Sequence, residues 1–441
     1  MQRLFSISMV ISLLLSATAF AQSRQIPAAT QDKPIIIHSA TIHTVSGEMI
    51  EDDGYVLFEN GIILHVGKGK LPTVPGAVLV DASGLHVYPG LIATDTYMGL
   101  TETSSIEVTN DHTELGQVKP EVRAAVAVNP DSALIPVARA NGILTAMVFP
   151  RGGLVSGRGS VMRLDGWTWE DMTIDPEAGL LINWPRTEPA RRSRFNTTSE
   201  SDQLKQIEKN LKLIEDLFDD ALAYAYSRDA DAKLSKDLRY EAMRYVLKRR
   251  KPVFVRASSI GQIESAVAWA VRRKLKIVIV GGQDADRTIP LLTKHNIPVI
   301  ITGLHHLPSN RHDDYDRPFT LPAKLHEAGI KFAIASGTSP AHERNLNHNA
   351  ATAVAYGLPR AEALRSITLN AAQIIGLGGT HGSIEVNKYA TLIITDGDPL
   401  EITTDTLVAF IDGKRIDLGN RHKTLNDKYR EKYRQLGIIK D

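Results

Sequence analysis

The chain has 441 residues, of which 43% are hydrophobic, and its 51 basic and 50 acidic side chains give a formal net charge of +1 at pH 7. This length is too great for one small core and is sufficient for a barrel with a smaller module. The near balance of charge argues against a nucleic-acid partner or broad binding to a membrane surface. Because cysteine is absent, disulfides, thiolate metal ligands and a lipidated N-terminal cysteine are excluded.

The first 21 residues have the pattern of a secretory signal peptide. One basic residue, Arg3, precedes an apolar stretch at 9–15, and Ala-Phe-Ala at 19–21 matches an Ala-x-Ala cleavage pattern. The apolar stretch is shorter than the roughly 20 residues that a membrane-spanning helix needs, and no second run of that length follows. The sequence therefore predicts a periplasmic or secreted protein without a membrane span after cleavage.

A small β module is predicted from segments at both ends of the chain. Short apolar runs alternate with turn residues from about residue 33 to 85, and Asn-Gly at 60–61 lies between two of them, which favours a hairpin. Two further apolar runs lie at 390–394 and 406–411. Neither group alone has enough strands to bury a sheet face. We therefore expect residues 22–88 and 379–419 to form one β-sandwich, followed by a helical tail at 420–441.

Residues 89–378, between the two β segments, alternate between strand and helix patterns. A long amphipathic helix is predicted from about Ser199, with apolar residues spaced by three and four along one face. The alternation predicts an α/β fold with a parallel sheet closed as a (β/α)₈ TIM-like barrel. Strands are predicted at 143–149, 252–257, 276–280, 297–302 and 331–336. Helices are predicted at 133–140 and 321–328, and two more are predicted to end at residues 273 and 295.

Three stretches resemble the amidohydrolase superfamily, in particular its exported imidazolonepropionase-like members. They are the Pro-Gly-Leu-Ile turn at 89–92, the segment 164–172, and a C-terminal set at 353–359, 369–372 and 382–386. The likeness covers nearly the whole mature chain. It implies a TIM-like barrel, hydrolysis of carbon–nitrogen bonds, and zinc or another divalent metal as the cofactor.

Five positions at which the resemblance places a metal ligand or catalytic base carry other residues. Asp95 and Tyr97 replace the two histidines of a His-x-His pair on the first barrel strand, where side chains two apart point the same way. Arg256 and Gly281 replace two further histidines, and Gly337 replaces the catalytic aspartate. A carboxylate can still bind a hard cation, but tyrosine, with a pKa near 10, is a poor ligand at neutral pH. No position can be assigned to a bridging Lys or Glu.

A metal-free cavity that kept the Asp95 carboxylate would leave a partly buried charge without a partner, which is costly. Arg256 maps to another strand end at the same mouth of the barrel. A guanidinium matches a carboxylate in shape and is always protonated. We therefore expect an Arg256 nitrogen within about 4 Å of an Asp95 oxygen, in the place of the missing metal.

Other polar residues could form a relocated site or pocket at the barrel mouth. His305 and His306 are adjacent, and the side chains of adjacent residues point in different directions, so we interpret this pair as part of a solvated loop. The glycines of Arg151-Gly152-Gly153 and Gly157-Arg158-Gly159 are interpreted as turn glycines rather than a phosphate loop. The basic clusters at 191–194, 248–251 and 272–274 are interpreted as solvated helix ends rather than the site of a polyanion partner. Candidate pocket residues are Ser258, Asp284, His305 and His306.

The replaced ligands favour a metal-free, catalytically impaired relative without a cofactor, in a homo- or hetero-oligomer with an active amidohydrolase homologue. Two alternatives stay open. One is a hydrolase that acts on non-peptide carbon–nitrogen bonds of small or cyclic amides through an unusual set of residues. The other is a protein that binds a small molecule at the barrel mouth. Fold alone does not choose among them.

Overall fold

The computed structural model describes residues 25–190, 197–308, 311–337 and 339–439. The predicted signal peptide and the basic cluster at 191–194 lie outside these residues. Within the described part of the chain, none of the helices has the length and apolar character needed to cross a membrane.

The strands belong to two sheets, one built from both ends of the chain and one from its middle. They are, in chain order, β1 (Ile35–Ile42), β2 (Ile50–Glu59), β3 (Ile62–Lys68), β4 (Val78–Asp81), β5 (His86–Pro89), β6 (Leu91–Thr96), β7 (Ile143–Val148), β8 (Val155–Arg163), β9 (Thr173–Asn183), β10 (Val253–Ala257), β11 (Ile277–Gly281), β12 (Val299–Thr302), β13 (Phe332–Ala335), β14 (Leu392–Thr395), β15 (Thr406–Ile411) and β16 (Lys414–Arg415).

The helices lie mostly between the strands of the second sheet. They are α1 (Leu134–Arg139), α2 (Trp169–Met172), α3 (Glu200–Ala230), α4 (Leu238–Leu247), α5 (Ile260–Arg272), α6 (Ile289–Lys294), α7 (Arg317–Glu327), α8 (Leu346–Ala355), α9 (Arg360–Ser366), α10 (Leu369–Ile374) and α11 (Arg421–Gln435), with 3-10 turns at Glu107–Thr109, Ala124–Ala127, Ala285–Arg287 and Pro340–Asn345.

The first sheet joins the two ends of the chain, as the sequence predicts. Its strand order is β16-β15-β14-β5-β1-β2-β3, with β4 beside β1, and β5 pairs with β14 in antiparallel register. Asn60 and Gly61 both have positive φ, which confirms the predicted hairpin between β2 and β3. The rings of Phe58 and Phe410 meet edge to face at 5.2 Å in its core. One connected sheet is observed, and its description as a sandwich stays a prediction.

The second sheet has the order β13-β12-β11-β10-β9-β8-β7-β6, and its outermost strands, β6 and β13, contact each other. The nearly closed barrel is therefore confirmed. The expectation of a fully parallel sheet is wrong at β8, which is antiparallel to both β7 and β9. The segments that join β8 to these neighbours have only six and nine residues, whereas a parallel pair needs a crossover of about a dozen or more.

The inside of the barrel is filled by apolar side chains from each strand of the second sheet, among them Ile92, Leu181 and Phe254. Helix α10 adds Ala371 and Ala372 to the same buried cluster, so it closes the end at which the strands begin. The polar residues of the candidate site are left at the opposite end, where the strands finish. This opposite end is called the barrel mouth below.

The predicted helices that flank the barrel are confirmed, with boundaries shifted by a few residues. The long helix α3 begins after Ser199, whose hydroxyl caps it by accepting a hydrogen bond from the backbone N–H of Asp202. Helix α5 begins with a capping box formed by Ser259 and Gln262. The tail carries α11 inside the predicted segment 420–441.

Candidate functional site at the barrel mouth

The five positions to which the resemblance assigns metal ligands or a catalytic base all lie at or just beyond the carboxyl ends of barrel strands. Asp95 is on β6 and Tyr97 follows it, Arg256 is on β10, Gly281 ends β11, and Gly337 lies two residues after β13. In barrels of this kind the strand ends meet at one rim, which is where function is usually located. The structure thus brings the five positions to the same mouth.

Asp95 and Arg256 form a two-point ion pair inside this mouth. Arg256 donates from Nη1 to Oδ2 of Asp95 at 2.9 Å and from Nη2 to Oδ1 at 2.8 Å. Thr302 donates its hydroxyl hydrogen to Oδ2 at 3.2 Å. The Asp95 side chain is fully buried, whereas 22% of the Arg256 side chain is exposed. The predicted contact is confirmed, in the parallel fork geometry that guanidinium and carboxylate groups favour.

The ion pair holds Asp95 in its charged form. Burial by itself raises the pKa of this carboxyl, but the guanidinium groups of Arg256 and Arg151, with hydrogen bonds from Arg256 and Thr302, outweigh burial and lower the pKa to about 2. Asp95 in turn raises the pKa of Arg256 against the opposing effect of burial. Both groups are therefore ionised at neutral pH.

Arg151 is a second cation at the site, and the sequence analysis missed it. Its Nη2 lies 3.6 Å from Oδ1 of Asp95, and its guanidinium carbon lies 4.7 Å from the centroid of the Tyr97 ring, in a cation–π contact. Gly152 and Gly153 have positive φ, as turn glycines do. Its position in the sequence could have indicated a role at the site, because Arg151 comes three residues after the end of β7 and therefore lies at the same rim.

Glu343 supplies a second buried carboxyl that the sequence analysis also missed. It lies in the 3-10 turn after β13, is 1% exposed, and accepts a hydrogen bond from the Ser336 hydroxyl at 2.8 Å. Burial raises its pKa to about 7, against hydrogen bonds from Thr96 and Ser336 that lower it, while the Asp95 charge adds to the rise. Glu343 is thus close to half-protonated at neutral pH. No sequence pattern marks a residue in such a turn.

The two glycines at the mouth are held in backbone conformations that disfavour other residues. Gly281 has φ of +106° and Gly337 has φ of +122°, a region that side chains with a Cβ rarely adopt. A Cβ on Gly281 would also lie 2.6 Å from the Ser258 hydroxyl, although one on Gly337 would meet open space. The backbone conformation at both positions therefore favours glycine over any residue with a side chain.

The four candidate pocket residues do not form one pocket. Ser258 and Asp284 line a cavity of about 500 Å³, and Asp284 pairs with Arg317 at 2.9 Å. His305 is exposed, with its Nε2 2.8 Å from the Thr352 hydroxyl, and His306 lines a different, smaller cavity. The cavity beside His306 is adjacent to the one lined by Ser258 and Asp284, because Gln283 lines both.

The residues at the mouth do not fit the divalent metal that the resemblance implies. Among the described residues, no group of three or more His, Asp or Glu side chains is placed to hold a metal ion. Both oxygens of Asp95 are already hydrogen-bonded to Arg256, and Arg151 lies next to them. A divalent cation there would meet two positive charges and one carboxylate.

A nearly closed barrel with its polar groups at one rim is the architecture of a large class of α/β enzymes. Residues 173–418, more than half of the chain, match the model of the amidohydrolase family. The chain belongs to this family.

The chain is similar to several known amidohydrolases. It is 22% identical over 425 residues to amidohydrolase tasK of Hapsidospora irregularis, which covers 86% of this chain and 43% of that protein. The chain thus spans less than half the length of the first curated relative it matches. It is 24% identical to the imidazolonepropionase of Pseudomonas entomophila, over 81% of this chain and 90% of that protein.

The fold is also similar to that of an amidohydrolase from Thermotoga maritima MSB8. The TM-score is 0.75 at 25% identity, over 87% of this chain and 99% of that one. The similarity extends over the barrel and beyond it, which agrees with the family assignment.

Proposed function

We propose that this chain is a metal-free member of the amidohydrolase family that lacks metal-dependent hydrolysis and serves as the partner of an active homologue. One observation carries the proposal, namely the two-point hydrogen bonding of Arg256 to buried Asp95. This carboxylate is the one group among the five replaced positions that could bind a hard cation, and both of its oxygens are engaged.

Electrostatics support the loss of the metal. At an effective dielectric constant of about 20, two unit charges about 4 Å apart interact by about 4 kcal/mol. Arg256 and Arg151 both lie within that distance of the Asp95 carboxylate. A divalent cation at the same point would be opposed by both, and its binding would require at least one guanidinium to leave a buried carboxylate.

The glycines support a specialised site rather than an accidental loss. A single substitution can replace a ligand and be reversed later. At Gly281 and Gly337, however, the left-handed backbone opposes the return of any side chain. These backbone conformations therefore support the proposal that glycine has permanently replaced a ligand and a base at the two positions.

The tail helix α11 offers a surface for the proposed partner. Leu425, Tyr429 and Tyr433 are four residues apart, so they lie on one side of the helix, and they are 45%, 49% and 42% exposed. None of the residues of α11 is buried. Apolar and aromatic side chains lined up on an exposed helix are typical of protein interfaces.

Elemental analysis together with an amide-hydrolysis screen tests the metal-free proposal. We expect no stoichiometric Zn, Mn, Fe or Ni in the purified protein, and no turnover that a chelator abolishes. One or two equivalents of metal per chain, retained through dialysis against a weak chelator, would contradict the proposal.

The partner role is tested by copurification from the native source and by light scattering of the isolated complex. We expect a homologue with an intact His-x-His pair to copurify, and the Tyr429→Ser/Tyr433→Ser variant to lose it. The matched control is Asp427→Ser/Glu431→Ser, on the far side of α11, since two residues along a helix are about 200° apart. Equal retention by both variants would rule out this surface.

We also propose that the protein acts outside the cytoplasm, in the periplasm or after secretion. The signal-peptide pattern at 1–21 supports this location. Cell fractionation with N-terminal sequencing of the mature chain tests it. A cytoplasmic protein that retains Met1 would contradict it.

A second candidate function is metal-independent hydrolysis of a small amide, with Glu343 as the base. The observation that favours it is the pKa of about 7 at a buried carboxyl beside the charged site, because a general base works best when its pKa is near the ambient pH. Chelator-resistant turnover that Glu343→Gln abolishes, without a change in thermal stability that would indicate misfolding, would establish this alternative. Absence of turnover in the unmodified protein would eliminate it.

A further inference from the structure

A second concentration of charge lies at the end of the barrel where the strands begin. A cleft of about 960 Å³ opens there among the residues that directly precede β10, β11, β12 and β13, the start of β11 and the end of α10. Among the described residues that line this cleft, none is acidic. Six are cationic: Arg249, Arg250, Lys251, Lys274, Lys276 and Lys331.

Most of these cations have no partner among the residues that the structure describes. Lys251 pairs with Asp175, and Lys331 donates a hydrogen bond to the side chain of Gln373 at 2.6 Å. The side chains of the other four make no hydrogen bond or ion pair with any residue that the structure describes. They are Arg249, Arg250, Lys274 and Lys276. For a protein whose net charge is +1, this is a strong local excess of positive charge.

Helix ends explain only part of this cluster. Basic side chains near a helix C-terminus interact favourably with its partial negative charge. That accounts for Arg249 and Arg250 after α4 and for Lys274 after α5. Lys276 and Lys331, in contrast, directly precede β11 and β13. The interpretation of the basic clusters as solvated helix ends is therefore incomplete, because the fold also draws cations from the strand starts into the same cleft.

The turns at the cleft contain a second, independent signal. Each of four successive helix-to-strand connections has one residue with positive φ, and all four of these residues line the cleft: Arg249 (57°), Lys274 (56°), Asn296 (51°) and Gly329 (69°). Glycine and asparagine are the residues that suit this position after a helix. At Arg249 and Lys274 a long cationic side chain occupies it despite the steric cost.

We infer that this cleft binds a small polyanion that carries several linked phosphate groups. Its volume is within the range of small-molecule sites, and lysine and arginine are the residues that recognise phosphate. Cations in strained turns are the kind of local outlier that points to a function. The cleft is separate from the barrel mouth, since β11 runs from one to the other over roughly 17 Å. The inference is thus independent of the proposed function.

Calorimetric titration of the full chain with inorganic tripolyphosphate tests the inference. The informative variant is Arg249→Gly/Lys274→Gly, because glycine suits both turns. We expect it to weaken binding by at least about tenfold, as loss of two charge-assisted contacts predicts, while the melting temperature stays equal or rises. The matched control is Lys205→Ala/Lys209→Ala, which removes two exposed lysines from α3 and is expected to leave binding within about twofold.

Further arms of the titration fix the chemistry and the source of the ligand. Tighter binding of a nucleoside triphosphate than of tripolyphosphate would assign a nucleotide, and equal binding would assign the phosphate chain alone. Citrate provides a polycarboxylate of similar charge. Citrate binding as tight as tripolyphosphate, an equal loss in both variants, or no binding at low ionic strength would each overturn the inference.

Discussion

At the mouth of the barrel, Arg151 and Arg256 converge on one buried carboxylate, whereas at the opposite end four cations surround a cleft without any partner within the described residues. A buried charge is tolerated only when it is paired, but an exposed charge is solvated and screened. The same residue types therefore have different meanings at the two ends. At the mouth they neutralise a charge of the protein itself, and at the cleft they remain available to a ligand.

The two ends also differ in what a mutation removes. Loss of a cation at the mouth leaves an unpaired carboxylate behind, so the effect falls on stability. Loss of one of the four cleft cations that have no partner among the described residues leaves no protein group unpaired, so the effect falls on binding. The expected effects of substitutions at the two ends are given below from the largest to the smallest.

Arg256→Ala is expected to lower the free energy of unfolding by about 3–5 kcal/mol, since it leaves buried Asp95 without its main partner. The lower end of that range is favoured because Arg151 remains 3.6 Å away. The double change Asp95→Ala/Arg256→Ala should be less destabilising than Arg256→Ala alone. Denaturant unfolding of both variants and of Asp95→Ala completes a double-mutant cycle. Strictly additive losses would show that the pair is uncoupled and would remove the contrast between the two ends.

Glu343 is expected to make stability fall as pH rises from about 4.5 to about 7. Its pKa is raised from 4.5 to about 7 in the folded protein, so over this interval the folded state holds a proton that the unfolded state has released. The contribution is fully present below pH 4.5 and is lost through pH 7, and it is on the order of 3 kcal/mol.

Glu343→Gln replaces the protonated carboxyl with a neutral group of similar shape. The variant should lose this part of the pH dependence and be more stable than the unmodified protein at pH 8. Urea titrations at pH 5, 6, 7 and 8 measure both slopes. Asp95 does not interfere, because its pKa is lowered to about 2, and its contribution is lost only as the pH falls from about 3.8 towards 2. Parallel curves for the two proteins would contradict the prediction.

Lys276→Ala/Lys331→Ala is expected to change the free energy of unfolding by no more than about 0.5 kcal/mol, as is usual for exposed positions. The same variant should weaken tripolyphosphate binding. Thermal unfolding of this variant beside Arg256→Ala gives the comparison directly. A stability loss similar to that of Arg256→Ala would show that the cleft cations are structural after all.

Much of the fold follows from local patterns in the sequence. Apolar runs and the Asn60-Gly61 turn locate the strands of the β module, and alternation locates the barrel. The direction of β8 is not encoded in this way, because an apolar run reads the same in a parallel and in an antiparallel strand. Only the shortness of its two connections indicates the reversal.

Part of the candidate site could also be predicted from the sequence. Asp95 and Arg256 occupy strand ends that the family resemblance aligns, so their contact could be expected before the structure was known. Arg151 and Glu343 lie beyond the strand ends, in turns whose placement depends on tertiary packing. Four of the six cleft cations belong to the two basic clusters at 248–251 and 272–274, whereas Lys276 and Lys331 belong to neither. The convergence of all six depends on the parallel order of β10 to β13.

The pairing of β5 with β14 has a kinetic consequence. Pro89 lies opposite Leu392, so this contact spans most of the chain, and such distant contacts slow folding. During synthesis, the first five strands emerge long before the strands that complete their sheet. Until then their apolar faces lack part of their cover and are open to aggregation or to chaperones. We expect the sheet to form late, with the ends of the chain closing over a barrel that has already assembled.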